Sequence, residues 1–257
     1  MKYFVVDAFA DAVFKGNPAG VCLVESELDE SVMQAIAAEN NLSETAFVTL
    51  GGEIHDLRWF TPAAEIDLCG HATLGTSYVI ANFILPGVTV MRYATRSGEL
   101  VVTREDDLYA LDFPARPGVP AAVTDAMGEA IGVPVLEAYQ SRDLMLVVGS
   151  EAEVRNVSPD MGLVAGLAGA AVIVTAPGDK VDFVSRFFAP ELGVPEDPVT
   201  GSAHSTLIPY WADRLGKDEL VARQVSRRGG TLHCQMRGER VTFAGTAALY
   251  LTGEIRV

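Results

Sequence analysis

Two short segments, far apart in the chain, hold the residues best suited to chemistry. Phe60-Thr61-Pro62 leads to Cys69-Gly70-His71-Ala72, and Phe188-Ala189-Pro190 leads to Thr200-Gly201-Ser202-Ala203. Both read Phe-x-Pro, a loop, x-Gly-x-Ala and then a long apolar run, with the second loop three residues longer. A glycine and small polar side chains where a loop becomes a helix leave the first backbone N–H groups of that helix without internal acceptors. With the helix dipole, such a start stabilises a nearby carboxylate by ~0.3–1 kcal/mol in exposed settings. Two starts meeting one ligand would grip a carboxylate and also stabilise charge that develops during reaction. A single Gly-x-Ala serves helix packing equally well; its repetition makes Gly70, Gly201 and Ser202 candidates for substrate binding.

Glu44 stands in Asn40-Asn41-Leu42-Ser43-Glu44-Thr45-Ala46-Phe47, between a helix-like and a strand-like stretch, where alternation can turn it inward. Burial raises a carboxyl pKa towards neutrality, as a proton-shuttling base requires. The corresponding region of the second half, Gly166-Leu167-Ala168-Gly169-Ala170-Ala171-Val172, carries no acid, so Glu44 would be the single base. Taken alone, a glutamate at such a junction is an ordinary solvated cap. His71, second in its helix, would present its ring to the same space, although a satisfied core histidine fits the pattern too. Asp197 precedes Pro198 in the matching loop of the second half and would bind a substrate amine or orient His71; an Asp-Pro by itself is a turn. His55 and His204 have no such placement, and no histidine and carboxylate pair shows metal-ligand spacing. A phosphate loop, a nucleophile elbow and a dinucleotide fingerprint are all missing from the sequence.

Strand-like runs are expected at 3–6, 21–24, 46–50, 56–60, 89–93, 100–104 and 108–113, with an amphipathic helix at 29–39 facing Val32, Met33, Ile36 and Ala37 inward. The stretch 71–85 is apolar nearly all round and should be enclosed on every side, as by a sheet curled around one central helix. Three prolines and a glycine crowd into 114–120, which marks a domain boundary. Beyond it the pattern restarts: a helix near 124–131, strands near 138 and at 145–148, a helix near 159–167, then strands at 170–175 and 182–188. Self-similarity at half the chain length points to a duplicated domain.

The 257 residues include 34 acidic and 19 basic side chains, for a net charge of −15, which makes nucleic acid and anionic membranes poor partners. Three cysteines, Cys22, Cys69 and Cys234, form neither a disulfide framework nor a zinc site and suit a reducing compartment. Asp7 and Asp11 interrupt any signal-peptide core, so a cytoplasmic location is expected. Uncharged stretches at 72–91 and 161–178 approach membrane-spanning length, but Pro86-Gly87 and the scattered glycines read instead as a buried helix followed by a strand.

Four segments, in order, resemble the PhzF-like phenazine-biosynthesis family: Asn17-Pro18-Ala19-Gly20, Asn41-Leu42-Ser43-Glu44-Thr45, Phe60-Thr61-Pro62 through Cys69-Gly70-His71-Ala72-Thr73, and Glu196-Asp197-Pro198-Val199-Thr200-Gly201-Ser202-Ala203-His204. The resemblance implies a diaminopimelate epimerase-like α+β fold of two pseudo-symmetric domains, each a curved, mainly antiparallel sheet or barrel around a central helix. It places one domain at 1–114, completed by a closing strand at 247–257, and the other at 118–246. It further implies a homodimer and a cofactor-independent isomerase, with no metal, working in an interdomain cleft on a small carboxylate. Glu44 would move the proton, His71 and Asp197 would assist, and Gly70, Gly201 and Ser202 would bind the substrate. The family's Gln-Gly segment reads Gln224-Val225 here, which puts substrate preference near that loop in question. Epimerase relatives use two opposed cysteines; Cys69 falls at the first position and Pro198 stands at the second, so a two-base epimerase would need Cys69 with Glu44 or another partner. A non-catalytic small-acid binder and a homo-oligomeric interaction protein complete the alternatives.

Overall fold

The structure is a computed structural model that describes residues 1–25 and 27–257. The chain forms two compact units, residues 1–112 with 244–257, and residues 113–243.

The first unit contains β1 (Lys2–Ala8), β2 (Asn17–Val24), α1 (Glu30–Asn40), β3 (Glu44–Thr49), β4 (His55–Phe60), β5 (Glu65–Ile66), α2 (Gly70–Val79), β6 (Val90–Thr95), β7 (Gly98–Glu105) and β8 (Leu108–Pro114). Antiparallel ladders join β1 to β2, β3 to β4, β6 to β7 and β7 to β8, whereas β2 pairs parallel with β3 and β4 with β6. The chain's last strand, Ala247–Glu254, lies antiparallel on the other edge of β1. In β6, Met91 and Tyr93 are buried while Val90 and Arg92 are exposed, the alternation of a sheet with one wet face.

Met33, Ile36 and Ala37 of α1 pack with Cys22, Phe47 and Phe60 in one apolar cluster, with Val32 partly buried beside it. Helix α2 packs on β1, β2 and β3, and its buried face runs from His71 through Ser77. Its polar residues are tolerated there because Thr73, Thr76 and Ser77 donate to the carbonyls of Cys69, Ala72 and Thr73, four residues back. The expected helix to residue 85 is α-helical only to Val79; Ile80–Ile84 widens into a π-helical turn that ends before Pro86. Proline cannot donate a backbone N–H, which suits a helix end.

The second unit contains β9 (Val119–Ala121), α3 (Asp125–Ile131), β10 (Glu137–Gln140), β11 (Leu144–Val147), α4 (Glu151–Asn156), α5 (Met161–Ala165), β12 (Val172–Pro177), β13 (Phe183–Ala189), β14 (Val194–Asp197), α6 (Gly201–Leu215), β15 (Glu219–Gln224), β16 (Gly230–Arg237) and β17 (Arg240–Gly245). It too is mixed: β11 and β12 run parallel, as do β13 and β15, among antiparallel neighbours. Leu146, Val174, Val184 and Phe188 from its sheet close over Ile131, Val154 and Val164 from the helices. Each of the two long uncharged stretches resolves into a helix followed by a strand, α2 then β6 and α5 then β12. Among the described residues no helix is long and apolar enough to cross a membrane.

Candidate active site

Parallel pairing gathers the first group of site residues. Because β2 and β3 run in the same direction, with Ala19 opposite Glu44, both strands begin at one end of the sheet. Asn17 opens β2, Glu44 opens β3, and Cys69 caps the start of α2, which packs on both strands. Residues 17, 44, 69 and 71 therefore meet although they are far apart in sequence.

The ring of His71, 6% exposed, lies between them. Its Nε2 is 3.0 Å from Oε2 of Glu44, whose side chain is 15% exposed. That is ion-pair distance, yet the two atoms are not aligned as a hydrogen bond, and neither has another hydrogen-bond partner among the described residues. The other ring nitrogen, Nδ1, is 3.2 Å from Nδ2 of Asn17 and 3.5 Å from the Cys69 sulfur. As oriented, the Asn17 amide N–H meets an unprotonated Nδ1, which leaves the ring proton on Nε2, facing Glu44. Turned over, the same amide would present its carbonyl to an imidazolium, so the cradle can serve either state of the ring.

Burial works against a charged His71, but the Cys69 sulfur and the Glu44 carboxylate work for it and win, raising its pKa well above the ordinary histidine range. Burial also pushes the Cys69 thiol up, reinforced by the Glu44 charge. The Cys69 sulfur and the Glu44 carboxylate thus both favour the His71 proton, while burial opposes charge on the ring and on the thiol alike.

Donor atoms of Glu44, Cys69 and His71 lie within 4.8 Å of one another, close enough to suggest a metal triad. The thiol lies nearest Nδ1, at 3.5 Å, and the carboxylate nearest Nε2, at 3.0 Å, so each ring nitrogen has its own neighbour, an arrangement suited to proton transfer.

In the second unit, Asp197 ends β14 and Thr200 caps α6. The Thr200 hydroxyl donates to Oδ2 of Asp197. Gln224, fully buried at the end of β15, accepts the Thr200 N–H at 2.9 Å and donates to the Asp197 carbonyl at 2.7 Å. Gly201 and Ser202 follow as the first residues of α6, and the Ser202 hydroxyl accepts a hydrogen bond from Arg142. His204 is enclosed, and burial lowers its pKa to about 4; its neutral ring donates from Nδ1 to the Thr200 carbonyl at 2.8 Å.

The two helix starts match residue for residue. Cys69 and Thr200 are the capping residues, each followed by a glycine, and each has its carbonyl bonded by the side chain four residues on, Thr73 or His204. This alignment corrects one sequence assignment: Thr200, not Pro198, occupies the place equivalent to Cys69. Counting back from the glycine, not from the Asp-Pro turn, locates it, and the absence of a second thiol stands.

Sequence reasoning placed Glu44 and His71 together, and the structure brings them to 3.0 Å; it likewise places Gly70 beside them, and Asp197, Gly201 and Ser202 on one turn of the second unit. Asn17, Gln224 and Arg142 are not distinguished as site residues by sequence alone, although Asn17 and Gln224 both lie in the family-like segments. A polar residue opening an otherwise apolar strand was the available signal for Asn17.

Comparison with known proteins adds an independent finding. Residues 6–253 match the family model described as phenazine biosynthesis-like protein, PhzC-PhzF. An uncharacterised isomerase of Pseudomonas aeruginosa is 51% identical over 257 residues, which cover 100% of this chain and 99% of that protein. The crystal structure of a PhzF-family phenazine biosynthesis protein from Enterococcus faecalis superposes with a TM-score of 0.98 at 49% identity, covering 100% of this chain and 99% of the other. A probable proline racemase from Agrobacterium radiobacter, 10% identical, has a TM-score of 0.67 over 100% of this chain and 93% of its own, which shows a common fold alone.

Proposed function

The chain belongs to the PhzC-PhzF phenazine biosynthesis-like family of isomerases, and on that footing we propose that Glu44 is the general base of a cofactor-independent proton shift within a small carboxylate. The observation that carries this reading is the enclosed Glu44–His71 pair, at 3.0 Å without an aligned hydrogen bond, at the start of α2. Polar atoms in such surroundings are costly to leave unmatched, and a bound substrate can supply the missing partner.

In this reading Glu44 takes a proton from carbon next to, or conjugated with, the substrate's electron-withdrawing group and returns it elsewhere. His71 holds the carboxylate in place between turnovers. The first N–H groups of α2, at Gly70 and His71, face charge that accumulates as the proton leaves. Gly201 and Ser202 are assigned to carboxylate binding, and Asp197, held by Thr200 and Gln224, to an amino or hydroxyl substituent. A cytoplasmic homodimer completes the proposal.

The experiment is solvent exchange. Small amino- and hydroxy-substituted unsaturated carboxylates are incubated in heavy water and followed by proton NMR. Deuterium entering a carbon position in wild type and not in Glu44→Gln supports the enzyme. Binding without exchange in wild type supports a small-acid binder instead. The two-base epimerase using Cys69 predicts exchange that vanishes in Cys69→Ser; its buried, neutral thiol argues against that outcome.

A further inference from the structure

Each half of the chain carries an arginine two residues before the phenylalanine of its Phe-x-Pro, Arg58 and Arg186, and a glutamate five residues before the glycine of its helix start, Glu65 and Glu196. In both units the structure joins them through the same atoms. Arg58 donates from Nε to Oε1 of Glu65 and from Nη2 to Oε2, each at 2.7 Å. Arg186 donates from Nε to Oε1 of Glu196 at 2.7 Å and from Nη2 to Oε2 at 3.0 Å. Each guanidinium also lies over the phenylalanine two residues on, 5.2 Å from the ring centroid of Phe60 and 5.0 Å from that of Phe188. Two hydrogen bonds and a ring face fix its plane. Neither pair includes a residue assigned to the proton shift or to the substrate.

The pairs sit where they can hold one register in two loops of unequal length. The three extra residues of the second loop all fall between Pro190 and Glu196, ahead of the gripped carboxylate, so the count from glutamate to glycine is the same in both halves. Each arginine is braced in turn from a helix. Arg58 Nη2 reaches Glu30, in the first turn of α1, at 2.6 Å, and Arg186 Nη1 donates at 2.7 Å to the carbonyl of Val157, which caps the end of α4. In the first unit the turn between β6 and β7 adds two ties, Arg96 to Glu65 at 2.7 Å and the Ser97 hydroxyl to the Asp67 carbonyl at 2.8 Å. Glu65, with 5% side-chain exposure, is thereby held at the head of the short stretch that delivers Cys69 and His71. An ion pair by itself is weak evidence of stabilisation. Repetition atom for atom, at one distance along the chain from each helix start, is evidence about geometry.

We infer that the two arginine–glutamate pairs are a duplicated clamp that positions the helix starts for the reaction. Arg58 and Glu65 hold the lead into α2 and so set Gly70 and His71 against Glu44; Arg186 and Glu196 hold the lead into α6 and so set Asp197, Gly201 and Ser202. All four are positioning residues, acting through the loop that each pair spans. The inference rests on the roles proposed for the two starts and deepens them, since the first clamp then governs proton transfer and the second governs binding of the acid.

Lysine in place of either arginine keeps the charge and loses the two-point grip, so its effect reports geometry and not lost charge. By NMR of the ligand-free protein, Arg58→Lys should shift the backbone amide signals of Gly70 and His71 and lower the midpoint of the His71 Cε1–H titration, leaving Gly201 and Ser202 unmoved. Arg186→Lys should shift Gly201 and Ser202 and leave Gly70 and His71 unmoved. With an acid that wild type exchanges in heavy water, Arg58→Lys should lower kcat about tenfold to a hundredfold at nearly constant KM, and Arg186→Lys should raise KM about tenfold at nearly constant kcat, the scale set by a misplacement of about 1 Å. Glu65→Asp and Glu196→Asp keep the charge, shorten the reach and should repeat the pattern of their partners; they decide the matter if a lysine variant fails to fold. The inference is overturned if the folded variants keep the wild-type signals of their own helix start, or if each variant moves both starts alike, as general loosening would. If the signals move as expected while wild type exchanges no deuterium into any acid, the isomerase reading fails and the clamp stands. If wild type exchanges and the variants keep its kcat and KM, the positioning role fails and the isomerase reading stands.

Discussion

Replacing Glu44 by glutamine keeps the side chain's size and its acceptor oxygen while removing its ability to hold a carbon-derived proton. General acid–base catalysis contributes ~10²–10⁴-fold, so turnover should fall by that factor, equivalent to about 3–5.5 kcal/mol of transition-state stabilisation. Stability should change much less. Truncating one member of a buried pair costs about 3–5 kcal/mol when the other is left charged and alone. Here the ring can revert to neutral and still present Nε2–H to the glutamine oxygen, and Glu44 keeps 15% exposure, so about 1–2 kcal/mol is expected. This loss has a pH signature. His71 is raised above its unfolded value of about 6.5, so its proton-linked stability is complete below pH 6.5 and disappears as pH climbs through the raised folded value. The gap between wild type and Glu44→Gln should therefore be widest near pH 6 and narrow in alkali. Denaturant titrations at several pH values give the stability, and deuterium incorporation into carbon gives the turnover. A folded Glu44→Gln protein that exchanges as fast as wild type would refute the reasoning.

Other consequences can be checked separately. The His71 imidazole Cε1–H signal should titrate above the ordinary histidine range in wild type and lower in Glu44→Gln, because the carboxylate holds its proton on; an unchanged midpoint would contradict the pairing. Cys69 should resist iodoacetamide at pH 7.5 in the folded protein, and Cys69→Ser should keep activity within about tenfold, because burial holds the thiol neutral. Rapid alkylation together with loss of activity would return Cys69 to consideration as a base. Gln224→Ala removes an acceptor for the buried Thr200 N–H and should cost about 1–3 kcal/mol in urea unfolding, with weaker acid binding; an unchanged midpoint would show that the bonds to Thr200 and Asp197 are dispensable.

Local chemistry made much of this molecule readable. Most strand and helix positions follow from apolar alternation and from the amphipathic face of α1, and the enclosure of α2 follows from a run with no acidic or basic side chain to offer solvent. The helix starts at Gly70 and Gly201 were visible as a repeat because a glycine between small residues is a backbone requirement written directly in residue types. The π-helical turn after Val79 was not, since hydropathy does not distinguish one helical winding from another.

Residue types supplied the strand and helix pattern, the duplicated helix starts and a short roster of reactive groups, and the family resemblance supplied the α+β fold. Which of those groups touch was settled by tertiary structure. The parallel register of β2 and β3 brings the Asn17 amide and the Glu44 carboxylate to the two nitrogens of one imidazole, and a fold back from β15 sets Gln224 against Thr200. A turn between β10 and β11 aims Arg142 at Ser202 across sixty positions of chain. Hydrogen bonds and proton affinities depend on separations of a few ångströms and on exclusion of water, and neither quantity exists until the chain has folded.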